Sequence, residues 1–346
     1  MFGMACFSIN RRTFVAWLAC CALVRGDETA AQRTADRIIE LPRAGGDEPV
    51  VMSSVAASAD AQFIATGGDD HMVRIWRLDD GRLVHTLRGH SDWVRAVAFH
   101  PNGTTLATAG DDRTIRIWNA RTGDALVVIE EPRQPVFALC YSPDGAWLTE
   151  AGFGDQVRIY NTEDYALAQA LTAPSSDVRS IAISPAGDRL AAAARNGRVR
   201  LWSLADRRVI ADLDAHRQRA RAVVFSLDGR WLATGGEDRQ VRLWSASTGA
   251  AGATLPARPG KVMSLAFIGG DRLAVGTSDN VIRLWNCGTA PTELSLLAGH
   301  TGTVTSLVWS PSAETLISGS FDTTVRCWKL AAHARPSLAR QPARNE

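Results

Sequence analysis

The chain has 346 residues, 46% of them hydrophobic and 21% charged, with a formal net charge of +2. That balance excludes a disordered or collagen-like chain and leaves enough apolar side chains for a large buried core. The near-zero charge argues against bulk attraction to nucleic acid or to an anionic membrane.

Taken from the N-terminus, residues 1–31 differ from all that follow. Arg11 and Arg12 precede an apolar run at residues 14–24. The run is shorter than the roughly 20 residues a membrane-spanning helix needs, and it fits the apolar centre of an export signal. The string Asn10-Arg-Arg-Thr-Phe-Val15 resembles the twin-arginine export motif, departing from it at Asn10 and at Ala16. An exported protein, periplasmic or extracytoplasmic, with no membrane span in its mature form is therefore expected. A cytoplasmic chain is the alternative if the leader does not function. Leu18-Ala-Cys-Cys21 loosely resembles a lipoprotein box, which would make Cys20 or Cys21 a lipid acceptor. Of the 38 basic residues only Lys261 and Lys329 are lysine, a bias expected of a GC-rich, bacterial genome.

Beyond the leader a short string ending in an aromatic recurs seven times. The copies are Val73-Arg-Ile-Trp76, Ile115-Arg-Ile-Trp118, Val157-Arg-Ile-Tyr160, Val199-Arg-Leu-Trp202, Val241-Arg-Leu-Trp244, Ile282-Arg-Leu-Trp285 and Val325-Arg-Cys-Trp328. Their aromatics are spaced 41 to 43 residues apart. Apolar and polar residues alternate within each string, which is the strand period. Two further runs precede it, such as residues 93–99 and 105–109, and a short one follows it, such as residues 83–87. Turns such as Pro101-Asn-Gly103 and Pro143-Asp-Gly145 separate the first two runs; proline sets φ and glycine permits positive φ. Four strands per period of about 40 residues predict a propeller blade. Seven repeats predict an all-β, seven-bladed β-propeller over residues 37–330.

Gly89-His90 and Gly299-His300, with Ala215-His216 as a variant, complete the pattern. Each His stands 22 residues before an Asp and 28 before an aromatic. These features resemble the WD-repeat family across about residues 37–330. One departure is that no repeat has Asp after its Trp; the position is a turn, where the Asn and Ser found here serve as well. The resemblance implies hydrogen-bonded tetrads of His, Ser or Thr, Asp and Trp. They are His90, Thr108, Asp112 and Trp118 in blade two, His216, Thr234, Asp238 and Trp244 in blade five, and His300, Ser318, Asp322 and Trp328 in blade seven. The other blades are incomplete: blade one lacks the His, blade three ends in Tyr160, blade four has Asn196 for Asp, and blade six has Val275 for the hydroxyl.

A His/Asp/Ser set also invites a catalytic-triad reading. An arrangement repeated in three blades at one register is better read as architecture, and no HExxH, GxSxG or GxxxxGK[ST] motif is present. The six cysteines show neither a CxxC pair nor a His at zinc spacing, so no catalytic residue, metal or cofactor is expected. Cys140 and Cys327 are expected to pack inside strands. The Arg two places before every aromatic (Arg74, Arg116, Arg158, Arg200, Arg242, Arg283, Arg326) reads as structural, its stem packed and its head reaching out. A basic stripe for nucleic acid is the sharper alternative, which the net charge opposes.

The last repeat ends at Trp328-Lys-Leu330, so blade seven lacks its outer strand. Residues 37–41 are expected to supply it and close the ring, removing an exposed strand edge. Residues 331–346 carry no pattern and are expected to be a mobile tail.

For function, the residues opening each inner strand form one register: Ser53, Arg95, Phe137, Arg179, Arg221, Met263 and Thr305. Two residues earlier stand Val51, Trp93, Pro135, Asp177, Arg219, Lys261 and Thr303. Trp93, Arg95, Phe137, Arg179, Arg219 and Arg221 are therefore the candidate partner-binding residues, aromatic and Arg side chains being the usual interface anchors. The expected function is a non-catalytic protein-interaction scaffold, a monomeric propeller within a complex, binding an acidic or extended protein segment. The alternatives are a hydrolase or lyase working in the channel and a subunit of a membrane-associated assembly.

Overall fold

The computed structural model describes residues 31–42, 50–130, 132–288 and 290–330. The proposed leader, apart from Ala31, and the C-terminal tail 331–346 lie outside the described residues. Seven sheets, antiparallel but for one added edge strand, surround a central channel. Their innermost strands are Met52–Ala57, Val94–Phe99, Val136–Tyr141, Val178–Ile183, Ala220–Phe225, Val262–Phe267 and Val304–Ser310. In blades one to six the strands follow chain order outward from the channel. Gly103, Gly145, Gly187 and Gly229 take φ between +71 and +78 in the turns after the first strand. That is the left-handed region, which glycine enters without steric cost.

The core lies between the blades. Val157, Ile159 and Leu171 of blade three pack on Val178, Leu190 and Trp202 of blade four. Comparable clusters fill the other interfaces. The six repeat Trp residues and Tyr160 are all buried, and a fully buried large apolar side chain contributes roughly 1.5–3 kcal/mol.

Blade seven is closed from the other end of the chain. Strand Arg37–Glu40 pairs antiparallel with Thr324–Lys329, placing Arg37 opposite Cys327 and Ile39 opposite Val325. Ile39 enters the cluster that joins Met52, Val55 and Trp76 of blade one to Ile317 and Val325 of blade seven. A second N-terminal strand, Ala31–Arg33, pairs in parallel with Ser295 to Leu297 and gives blade six a fifth strand. Three residues, two of them polar, carry no alternation that a sequence reading could detect. No helix of the described residues is long and apolar enough to cross a membrane.

Candidate functional site

The histidines are built into the blades. In blade two, Trp118 Nε1–H donates to Thr108 Oγ1 at 2.9 Å, His90 Nε2 lies 2.7 Å from the same hydroxyl, and His90 Nδ1 lies 2.8 Å from Asp112. Blade five repeats this with His216 2.8 Å from Asp238 and 3.0 Å from Thr234, and with Trp244 donating to Thr234 at 3.0 Å. In blade seven His300 is 2.8 Å from both Asp322 and Ser318, and Trp328 donates to Ser318 at 2.9 Å. Each ring thus bridges a carboxylate at Nδ1 and a hydroxyl at Nε2, with Nδ1–H the donor to the carboxylate, which only accepts. Burial pushes the carboxyls of Asp112, Asp238 and Asp322 up. The hydrogen bond from each His, with further hydrogen bonds, outweighs it and holds all three below the usual carboxylate range. Both imidazole nitrogens are engaged and the rings are buried, so these histidines are poor proton carriers for a substrate.

Blades without a His use other pairs, which the sequence reading missed. In blade one Arg74 reaches Asp70 at 2.5 Å while Trp76 donates to Thr66. In blade six Thr277, two residues past Val275, supplies the hydroxyl, taking a bond from Arg283 at 3.0 Å; Arg283 also pairs with Asp279 at 2.7 Å. In blade three Glu150 stands where blade two has Thr108 and is paired with Arg158 at 2.8 Å. Burial pushes the Glu150 carboxyl up despite that pairing. Five of the seven stripe arginines (Arg74, Arg158, Arg200, Arg242, Arg283) thus have a carboxylate within their own blade. The signal was a glutamate at a hydroxyl position, eight residues before an Arg.

The channel mouth has a different origin. In every blade the pairing between first and second strand slips by one residue near its start. The bulged residues are Ser53, Arg95, Phe137, Arg179, Arg221, Met263 and Thr305. A bulge leaves its residue outside the ladder and re-aims the side chain; all seven line a cavity of about 480 Å³. The slip brings two backbones together: a Cβ on Gly110 would lie 1.9 Å from the carbonyl oxygen of Trp93, and one on Gly152 the same distance from that of Pro135. Behind each bulge a backbone hydrogen bond joins the rim residues, as in Asp111 N–H to Trp93 O, Phe153 N–H to Pro135 O and Glu237 N–H to Arg219 O.

At this mouth Arg95 lies 4.2 Å above the Trp93 ring and donates to Asp111 at 2.6 and 3.0 Å. Arg179 stacks on Phe137 at 3.9 Å and pairs with Asp177. Arg221 donates to Glu237 at 2.7 Å, and Lys261 to the same carboxylate at 3.2 Å. Arg219 sits between Asp177 and Glu237, 3.7 Å from each. The six residues singled out from sequence therefore occupy one continuous sector, across blades two to five. Lys261, Phe153 and the underlying carboxylates belong to it too. Among the described residues lining the cavity there is no Asp, Glu or His, and no cluster of described residues has the makings of a metal site.

The repeat profile described as "WD domain, G-beta repeat" matches residues 44–77, 81–119, 166–203, 207–245, 251–286 and 291–329. The chain belongs to this WD-repeat family. The unmatched stretch 120–165 holds most of blade three, where Glu150 and Tyr160 replace the usual hydroxyl and Trp. Three fungal relatives are similar over about one repeat. "Nuclear distribution protein PAC1" of Mycosarcoma maydis is 45% identical over 16% of this chain and 12% of its own length. "Nuclear distribution protein nudF 2" of Talaromyces marneffei is 52% identical over 14% and 10%. "Nuclear distribution protein nudF" of Aspergillus niger is 49% identical over 14% and 10%. The chain thus spans about a tenth of the length of the curated relatives it matches.

These relatives correct one expectation. They are fungal and named for nuclear distribution, against the exported, extracytoplasmic protein expected from the leader. The motif that raised it departs from the twin-arginine pattern at Asn10 and Ala16.

Proposed function

We propose that this WD-repeat propeller is a non-catalytic protein-interaction scaffold that engages an extended, acidic protein segment at the channel mouth. The observation that carries the reading is the set of bulges, which turns seven inner-strand side chains to one opening and places stacked Arg and aromatic groups there. Planar Arg and rigid aromatic side chains supply contact area at low entropic cost. A channel enzyme is disfavoured because the described cavity lining carries no Asp, Glu or His, and burial pushes its one thiol, Cys140, up and so keeps it protonated. Similarity to the nuclear distribution proteins over about one repeat supports the repeat and leaves the partner to be identified.

Replacing Trp93 and Arg221 together by Ala tests this. Affinity purification should lose specific co-purifying proteins while the melting temperature stays within a few degrees of the parent, since neither side chain sits in a blade core. An unchanged set of partners overturns the assignment of this face.

A further inference from the structure

The mouth over blades four to six carries a layered charge arrangement. Asp177 and Glu237 lie beneath, their side chains 3% and 16% exposed, whereas Arg179, Arg219 and Arg221 are about a quarter exposed and Lys261 about half. Four cations over two carboxylates leave two positive charges facing outward. Burial pushes the Arg179 guanidinium down; Asp177 opposes this, while Arg221 and Arg219 crowd it further. Arg219 stands out within the group. Its terminal nitrogens stand 3.7 Å from both carboxylates, farther than those of Arg221 and Lys261 from Glu237 at 2.6 and 3.2 Å, so its fork is not committed to a short hydrogen bond. A guanidinium with unused donors in a fork geometry, beside like charges, fits an incoming oxyanion.

We propose that this sector takes the phosphate of a phosphorylated side chain on the partner's extended segment, with Arg219 at its centre and Arg221 and Lys261 at its flanks. The inference rests on the loop-face reading above. A phosphate monoester carries about −1.5 to −2 charges at pH 7 and three acceptor oxygens, which matches the two outward charges; a single carboxylate leaves one of them unanswered. The rest of the rim favours a protein carrier over a nucleic acid. Asp111 offsets Arg95 on blade two and Asp69 adds a negative charge on blade one, which disfavours a continuous row of phosphates, while Trp93 and Phe153, both exposed, suit apolar side chains flanking the phosphorylated residue.

The test uses the immobilised full chain and three pools of random-flank peptides with phosphoserine, Glu or Ser at a fixed centre. Retention of the phosphoserine pool about tenfold above the Glu pool is expected. Arg219→Gln should abolish that preference, Lys261→Gln should reduce it about threefold, and Arg208→Gln, on the outer strand of blade four, should leave it unchanged; melting curves of all variants verify folding. Equal retention of the phosphoserine and Glu pools overturns the phosphate assignment and leaves the peptide-binding face standing. Retention of no pool above the Trp93→Ala, Arg221→Ala variant overturns both. Displacement of the phosphoserine pool by an oligonucleotide at matched phosphate concentration overturns the assignment in favour of nucleic acid.

Discussion

Asp238 accepts from His216 at 2.8 Å, from Arg242 at 3.1 Å, and from the backbone N–H groups of Gln240 and Arg217 at 3.2 and 3.3 Å. Asn196, at the equivalent place in blade four, is exposed, accepts from the Arg198 N–H at 3.0 Å and donates to Pro174 O at 3.4 Å, with no imidazole or guanidinium to hold. Asp238→Ala leaves a buried imidazole without its acceptor and should cost about 2–3 kcal/mol. Asn196→Ala should stay within about 0.5 kcal/mol. Urea unfolding of the two variants decides it; equal losses would remove the tetrad's role in stability. The tetrad residues were legible because each lies at a fixed offset from a Trp. The substitutes were not, because Arg74, Arg283 and Glu150 reach their partners across a strand or a turn, and no fixed offset from the His announces them.

At the scale of elements, the closing strand decides whether the ring holds. Its residues alternate: Ile39 is 4% exposed between blades one and seven, while Ile38 is 49% exposed. Ile39→Ala should cost roughly 2–4 kcal/mol through lost contact and a residual cavity, and Ile38→Ala within about 0.5 kcal/mol. Thermal melts compare them, and equal shifts would mean that the seam is not closed by this strand. The missing outer strand of blade seven could be inferred by counting strands per repeat. The strand Ala31–Arg33 could not, since backbone pairing to a sheet edge demands no particular side chains.

For the whole molecule, stability depends on pH through opposing groups. Asp112, Asp238 and Asp322 have folded pKa values below their unfolded ones, so their contribution is present above about pH 3.9. It is lost as pH falls through the folded values. Glu150 has the opposite sign: its raised folded pKa makes stability fall as pH rises from about 4.3 through the folded value. The melting temperature should therefore drop steeply below about pH 4. The difference between Glu150→Gln and the parent should shift in favour of the variant as pH rises from 4 to 8. A shift the other way would mean that Arg158 overrides burial and keeps Glu150 ionised.

The sequence by itself determined the repeat, the number of blades, the pinning residues of blades two, five and seven and the source of the closing strand. All of these are written in periodicities of two and of about 42 residues, which local backbone geometry and turn chemistry impose. Only the tertiary structure decided what the mouth presents. Its seven residues gather there because each inner strand bulges by one residue against its neighbour, and the outward charge there depends on which carboxylates the ring buries beneath which arginines. The bulge forms between two strands of one blade, but gathering the seven side chains at one opening, and setting Arg219 and Lys261 over carboxylates of the neighbouring blade, needs blades 41 to 43 residues apart packed into a ring. The channel mouth that Arg95, Phe137, Arg179 and Arg221 line is therefore a product of the closed ring.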